Sequence, residues 1–171
     1  MKARYIRNFE ALSEAESKLL KTKKICIVGC GGLGGYILEQ FLRLGVESIT
    51  VIDGDCFEES NLNRQLLSTE NVIGSFKALT AKERAQEVNS QIKVHAVNVF
   101  LTEENARELL RDHDMVMDAV DNIAARRIMG KICEELGIPL MYGAIQGWYA
   151  QISLILPGSS LLDILYQKEM K

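Results

Sequence analysis

The segment Lys24-Ile25-Cys26-Ile27-Val28-Gly29-Cys30-Gly31-Gly32-Leu33-Gly34 limits the possible folds of this chain more than any other. Five residues of buried-strand character run into a glycine loop, and Tyr36 to Leu44 behind it read as a helix. Glycines at 29, 31 and 34 permit a tight turn, close approach of backbone to an anion, and close packing of helix on strand. The first N–H groups of the helix then face that anion. Gly45 stops the helix, Ser48 to Ile52 read as a second strand, and Asp53 closes it, 19 residues after Gly34. A carboxylate there accepts hydrogen bonds from ribose hydroxyls. A nucleotide is expected, and these features alone leave NAD and ATP open, because both offer a ribose and phosphates.

The rest of the chain continues the alternation. After a long polar loop from Asp53 to Asn71, Ser75 to Val88 read as a helix with Ala78, Ala81, Ala85 and Val88 at helical spacing. Ile92 to Val99 read as a strand, Glu103 to Leu110 as a helix and Met115 to Val120 as a strand. Ala125, Met129, Ile132 and Leu136 share one helix face, and strands at Pro139 to Ala144 and Gln151 to Leu156 flank a turn at Gly147. Upstream, Phe9, Leu12, Glu16, Leu19 and Leu20 predict one short helix after a basic start with Lys2, Arg4 and Arg7. The predicted class is α/β: a Rossmann-like, doubly wound, mainly parallel sheet with an N-terminal helical appendage and an antiparallel edge strand. The expected division is an arm and helix at 1–22 and one nucleotide-binding domain at 23–171. Ligands are expected at the carboxyl ends of the strands.

A chain of 171 residues, 47% hydrophobic, suffices for one domain with a substantial core. The net charge of −3 comes from 20 basic and 23 acidic residues without a long basic block, which argues against nucleic acid as a partner. Cys26, Cys30, Cys56 and Cys133 form no C-x-x-C pair, so neither a zinc pattern nor a disulfide framework is expected, and a reducing cytoplasm fits best. No signal peptide or membrane span is read, since the most apolar late stretch, Ile138 to Leu156, is interrupted by Gln146 and Gln151.

Three further residues bear on the nucleotide. A dinucleotide oxidoreductase needs a second half for nicotinamide and substrate, so this length favours a mononucleotide. Arg64, within Asn61-Leu62-Asn63-Arg64-Gln65, offers a planar fork to phosphate oxygens, although an arginine so placed is, by itself, more often a solvated surface residue. Lys77 falls in the first turn of a helix, where the macrodipole disfavours a cation unless an anion such as phosphate is near. In Asp118-Ala119-Val120-Asp121-Asn122, Asp121 suits either a hydrated Mg²⁺ beside a triphosphate or a helix N-cap. The glycine loop, Asp53, Arg64, Lys77 and Asp121 all fall on one edge of the predicted sheet.

Taken together, Arg4-Tyr5-x-Arg7, Gly29-x-Gly31-Gly32-Leu33-Gly34-Gly35, Asp53-x-Asp55, Asn61-Leu62-Asn63-Arg64-Gln65, Gly74-x-x-Lys77 and Asp118-x-x-Asp121-Asn122 resemble the ThiF/MoeB/HesA adenylyltransferases, relatives of the ubiquitin-activating enzymes. The resemblance runs from about Arg4 to Pro157. It implies ATP with Mg²⁺, a homodimer, and adenylation of the C-terminal glycine carboxylate of a ubiquitin-like sulfur carrier. It assigns Asp53 to ribose, Asn61, Arg64 and Lys77 to the phosphates, Asp121 to the metal, and Arg7 to the ATP of a partner subunit. Gly29, Gly31, Gly32, Gly34, Asp55 and Gln65 complete the implied nucleotide site, and Arg64, Lys77, Asp121 and Arg7 are the implied catalytic set. Many relatives carry two C-x-x-C zinc pairs or a later sulfur-transfer cysteine, and this chain has neither. It resembles the short zinc-free forms of thiamine synthesis, so a ThiS-type carrier is favoured over a MoaD-type one. An NAD-dependent oxidoreductase and a noncatalytic docking module are the alternatives. Cys30 and Cys56 are expected to be structural, His95 and His113 structural or solvated. Trp148 and Tyr149 are expected to pack into the core, with a carrier groove as the alternative. Leu161, Leu162, Ile164 and Leu165 cover the sheet edge or meet a partner.

Overall fold

The computed structural model describes residues 3–159. Where one N-terminal helix is expected, there are two segments: a 3-10 helix at Ala3–Glu10 and α1 at Glu14–Thr22. Ser13 causes the break. Its Oγ accepts from Glu16 N at 3.2 Å while the Glu16 carboxylate accepts from Ser13 N at 2.7 Å, a capping box that starts a new helix.

Six strands follow: β1 (Lys24–Val28), β2 (Ser48–Ile52), β3 (Lys93–Val97), β4 (Met115–Asp118), β5 (Leu140–Gln146) and β6 (Tyr149–Ile155). Their spatial order is β3-β2-β1-β4-β5-β6, all parallel except β6, which runs antiparallel to β5 around Gly147 at φ +59°. The helices α2 (Gly34–Leu44), α3 (Lys77–Asn89), α4 (Glu103–Leu110) and α5 (Ile123–Leu136) supply the crossovers. This is the expected Rossmann-like, doubly wound sheet. Strand β4 stops two residues early because Asp118 turns its own carboxylate back to accept from Val120 N at 3.2 Å, a local turn that competes with the ladder.

Alternation along β1 sorts the core into two layers. Ile25 and Ile27 face α2 and α3, meeting Leu38, Leu42, Ala78, Ala81 and Ala85. Cys26 and Val28 face α4 and α5, meeting Leu110, Met129 and Ile132. Past β4 the cover thins, and Ile145, Ile152 and Leu154 of the terminal hairpin stand exposed. The expectation for Leu161, Leu162, Ile164 and Leu165 falls outside the described residues. No helix among the described residues is long and apolar enough to cross a membrane.

The arm docks at the far end of α2 from the glycine loop. Tyr5 is buried with its ring against Gly45, and its hydroxyl accepts from Asn89 Nδ2 at 2.7 Å. The same amide donates to Leu42 O at 3.1 Å, and Arg4 donates to Asn89 Oδ1. Asn89→Ala is expected to orphan a buried carbonyl and release the arm, lowering stability by about 1–3 kcal/mol. Urea denaturation measures the loss, and limited proteolysis is expected to cut first between residues 3 and 12.

Candidate functional site

Strands β1 and β4 are neighbours whose following helices pack on opposite faces, so the sheet opens a crevice between their carboxyl ends. The glycine loop lies there, tied into the sheet by Gly29 N to Ile52 O at 2.8 Å and Ala119 N to Val28 O at 2.9 Å. Its glycines do different work. Gly29 sits at φ +95°, where an added Cβ would come within 2.6 Å of the Ala119 carbonyl oxygen. At Gly34 a Cβ would fall on the Gly29 carbonyl, so these two close the turn. A Cβ at Gly31 would touch only the Gln65 amide, and one at Gly32 would meet nothing within 4 Å. Gly31 and Gly32 therefore leave backbone bare toward the crevice, a cleft of about 1810 Å³.

Asp53 fastens this loop. Its Oδ2 accepts from Cys30 N at 2.6 Å and its Oδ1 from Asp55 N at 2.8 Å. Burial raises its pKa above the usual carboxylate value, opposed by those two N–H groups and by Lys77. A carboxylate has about four lone-pair sites, so capacity for a ribose hydroxyl remains. Lys77 opens α3, as expected, and is only 7% exposed. Its compensating anion in the structure is Asp55, with Nζ 3.2 Å from Oδ2 and the Lys77 N–H donating to Asp55 O at 2.9 Å.

The other expected residues divide. Arg64 lies at the exposed rim, its Nη1 donating to Ser60 O and Asn63 Oδ1, both at 3.0 Å. Gln65 is buried against the cleft, and its Oε1 has no hydrogen-bond donor among the described residues. Asn61 does not line the cleft, because its Oδ1 accepts from Glu58 N at 3.0 Å within a short 3-10 turn. Asp121 does line it, exposed and without a hydrogen bond or ion pair among the described residues. The α5 N-cap is Asn122, whose Oδ1 accepts from Ala125 N at 2.8 Å, so Asp121 is not spent on capping. Arg7 is nowhere near: it pairs with Glu10 on the arm, beyond the end of α2, a helix about 16 Å long.

The structure corrects the expectation for two aromatic residues. Trp148 and Tyr149 are 99% and 83% exposed, and they stand at the cleft mouth instead of in the core. The hairpin turn puts both at its tip, beyond the last helix. Cys30 is buried, and burial first and Asp53 second push its thiol up, away from nucleophilic chemistry. His113 is structural, its ring spanning Leu110 O at 3.0 Å and Thr50 Oγ1 at 2.8 Å. No group of three His, Cys, Asp or Glu among the described residues is placed to hold a metal.

Sequence reasoning overlooked Arg126. It is 8% exposed on α5, with Nε 3.1 Å from Asp118 Oδ2, and its guanidinium lies 5.1 Å from the centre of the Tyr142 ring. The available signal was an arginine between Ala125 and Met129 on an apolar helix face, following a buried strand that ends in Asp118. Burial raises the Asp118 pKa to about 6 even though Arg126 opposes the shift.

The chain matches the ThiF family over residues 3–171 and belongs to it. It is 41% identical over 135 residues to the sulfur carrier protein adenylyltransferase of Thermus thermophilus, covering 79% of this chain and 50% of that protein. It is 37% identical to the sulfur carrier protein ThiS adenylyltransferase of Bacillus subtilis, covering 96% of this chain and 52% of that protein. The chain thus spans about half the length of these curated relatives. Among solved structures, the E. coli tRNA N6-threonylcarbamoyladenosine dehydratase in complex with ATP superposes with a TM-score of 0.77 at 30% identity, covering 80% of this chain and 57% of that one.

Two outcomes test this geometry. Gly34→Ala is expected to prevent loop closure and lower Tm sharply, whereas Gly32→Ala leaves Tm within a few degrees of the wild type; thermal denaturation reads both. The second concerns pH. The folded-state value of Asp118, about 6, lies above its ordinary 3.8, so its stabilising contribution is full below pH 3.8 and is lost as pH rises through 6. The stability difference between wild type and Asp118→Asn is therefore expected to change by up to about 3 kcal/mol between pH 4 and 7, against the wild type at the upper end. Urea titrations across that range measure it.

Proposed function

We propose that this chain binds ATP in the cleft and adenylates the C-terminal carboxylate of a ubiquitin-like sulfur carrier, with a ThiS-type carrier first. The carrying observation is the pairing of a bare glycine loop with Lys77, Arg64, the orphaned Gln65 Oε1 and the unpartnered Asp121 around one crevice. ATP suits this set: Gly31 and Gly32 leave room for phosphate, Lys77 and Arg64 supply charge, Asp53 faces a ribose, and Gln65 Oε1 needs a donor. Asp121 is the residue that would hold Mg²⁺ through one carboxylate oxygen, the remaining ligands being phosphates and water. Such an ion neutralises phosphate charge when bound.

A carboxylate oxygen of the carrier attacks the α-phosphorus, the bond to the β-phosphate breaks, and pyrophosphate leaves. The attacking group is already ionised at pH 7, so no general base is required. The protein's task is to position the reactants and offset charge, for which backbone N–H groups, Lys77 and Arg64 are the means. The exposed Trp148, Tyr149 and Ile145 at the mouth favour a protein substrate over a small acid, because they offer apolar contact to the body behind the reacting tail. The names of the sulfur-carrier relatives point the same way.

A homodimer accompanies this reading. Arg7, exposed on the arm at the opposite sheet edge, reaches phosphate only in a second copy. The cytoplasm is the compartment in which such carriers and free thiols are kept.

Carrier-dependent exchange of labelled pyrophosphate into ATP tests the proposal. Asp121→Ala and Arg64→Ala are expected to slow exchange roughly 100- to 1000-fold with Tm unchanged. Tight NAD binding without ATP binding overturns the reading. Mixing Arg7→Ala with Asp121→Ala subunits is expected to restore part of the lost rate, and verified mixed dimers that stay inactive refute the role of Arg7 across subunits.

A further inference from the structure

Strand pairing between β4 and β5 ends early. The ladder contains only Val116 with Leu140 and Met117 with Met141, and it is not continued at Asp118. Arg126 makes the connection from there on. Its Nη2 donates to Val120 O at 2.7 Å and to Gly143 O at 3.0 Å, while Nε faces the Asp118 carboxylate. One side chain thus joins the end of β4, the β4–α5 turn and β5 at a place where backbone hydrogen bonds do not. Two acceptors and a carboxylate in a fixed fork match a guanidinium and not an ammonium. Val120 immediately precedes Asp121, so the clasp fixes the backbone from which the Asp121 carboxylate enters the cleft.

We propose that Arg126 is a positioning residue: by clasping the Val120 and Gly143 carbonyls, it sets the direction in which Asp121 addresses the phosphates. Its catalytic consequence rests on the role assigned to Asp121 under Proposed function. The clasp itself rests only on geometry.

The test combines a double-mutant cycle with amide exchange. Arg126→Gln is expected to lower the exchange rate constant roughly 10- to 100-fold while KM for ATP stays within about threefold, as for loss of an orienting partner. Asp121→Ala with Arg126→Gln is expected to be no slower than Asp121→Ala alone, because a residue acting through another adds nothing once that other is gone. Arg126→Gln leaves Asp118 buried without its cation, so Asp118→Asn with Arg126→Gln separates charge from position. That pair is expected to recover Tm without recovering rate. Arg126→Lys is expected to remain slow.

Hydrogen exchange of the Val120–Ile123 amides is expected to rise in Arg126→Gln whatever the activity. Additive losses in the double mutant, a full rate in the charge-neutral pair, or unchanged amide protection each overturn the proposal. Asp121→Ala with a wild-type rate overturns the assignment of Asp121 instead.

Discussion

Contact between the Gly34 Cα and the Gly29 carbonyl is the constraint on which the molecule depends. It folds the chain back on itself directly after β1, so α2 starts on top of the strand that precedes it. Two ladder bonds, Gly29 N to Ile52 O and Ala119 N to Val28 O, carry the sheet register past the strand ends and into the loop. The crevice at the β1–β4 divergence therefore has a floor whose backbone is tied into the sheet on both sides. Packing beneath it, from Leu38 and Leu42 on one face and Met129 on the other, belongs to the same arrangement.

Charge is organised around that loop in two pairs, a buried lysine with an exposed carboxylate and a pair buried on both sides. Lys77 with Asp55 stands on the β2 side, and Arg126 with Asp118 on the β4 side. Removing ions from water costs several kcal/mol each, and pairs of this kind add little net stability. In the second pair each charge is also held by backbone, Asp118 accepting from Val120 N and Arg126 donating to two carbonyls, while in the first the main-chain bond from Lys77 N to Asp55 O keeps the two segments side by side. The cleft is thereby assembled before any ligand arrives. Asp55 occupies the Lys77 ammonium, so under the proposed function an entering phosphate meets a cation that is already buried and aimed.

Strands and crossovers were legible because a parallel sheet covered on both faces leaves a strong record: apolar runs at Ile25–Val28 and Ile49–Ile52, punctuated by Gly45 and Asp53. The glycine loop and the position of Lys77 were legible for a related reason, since each breaks a local rule that the surrounding structure has to offset. Less was visible where tertiary contacts decide. Nothing in the local pattern separates Asn61, which caps its own turn, from Gln65, which faces the cleft. Ser13 carried a readable capping box with Glu16, but helical spacing from Phe9 to Leu20 masked it. Trp148 and Tyr149 looked like core on hydrophobicity, yet a two-residue hairpin turn has no second layer to bury them. Arg126 was hidden because its partners, Val120, Gly143 and Asp118, belong to three segments that meet only after the sheet has formed.

The placement of charged and apolar groups in the cleft has a directional consequence. Cations and bare amides are gathered at the floor, around Gly31, Gly32 and Lys77, while apolar side chains gather at the mouth, in Ile123, Ile145, Trp148 and Tyr149. A ligand wholly contained by the floor gains nothing from those exposed apolar groups, which cost solubility when left bare. A chain that brings a carboxylate to the floor while its folded body rests on the rim uses both. The arm stands apart from this gradient, held by Asn89 and Gly45 at the other edge of the sheet, where Arg7 addresses solvent and not the cleft of its own copy. Under the proposed function, polarity along the cleft axis separates two encounters, one with a nucleotide and carrier at the carboxyl edge, the other, through the arm, with a second subunit.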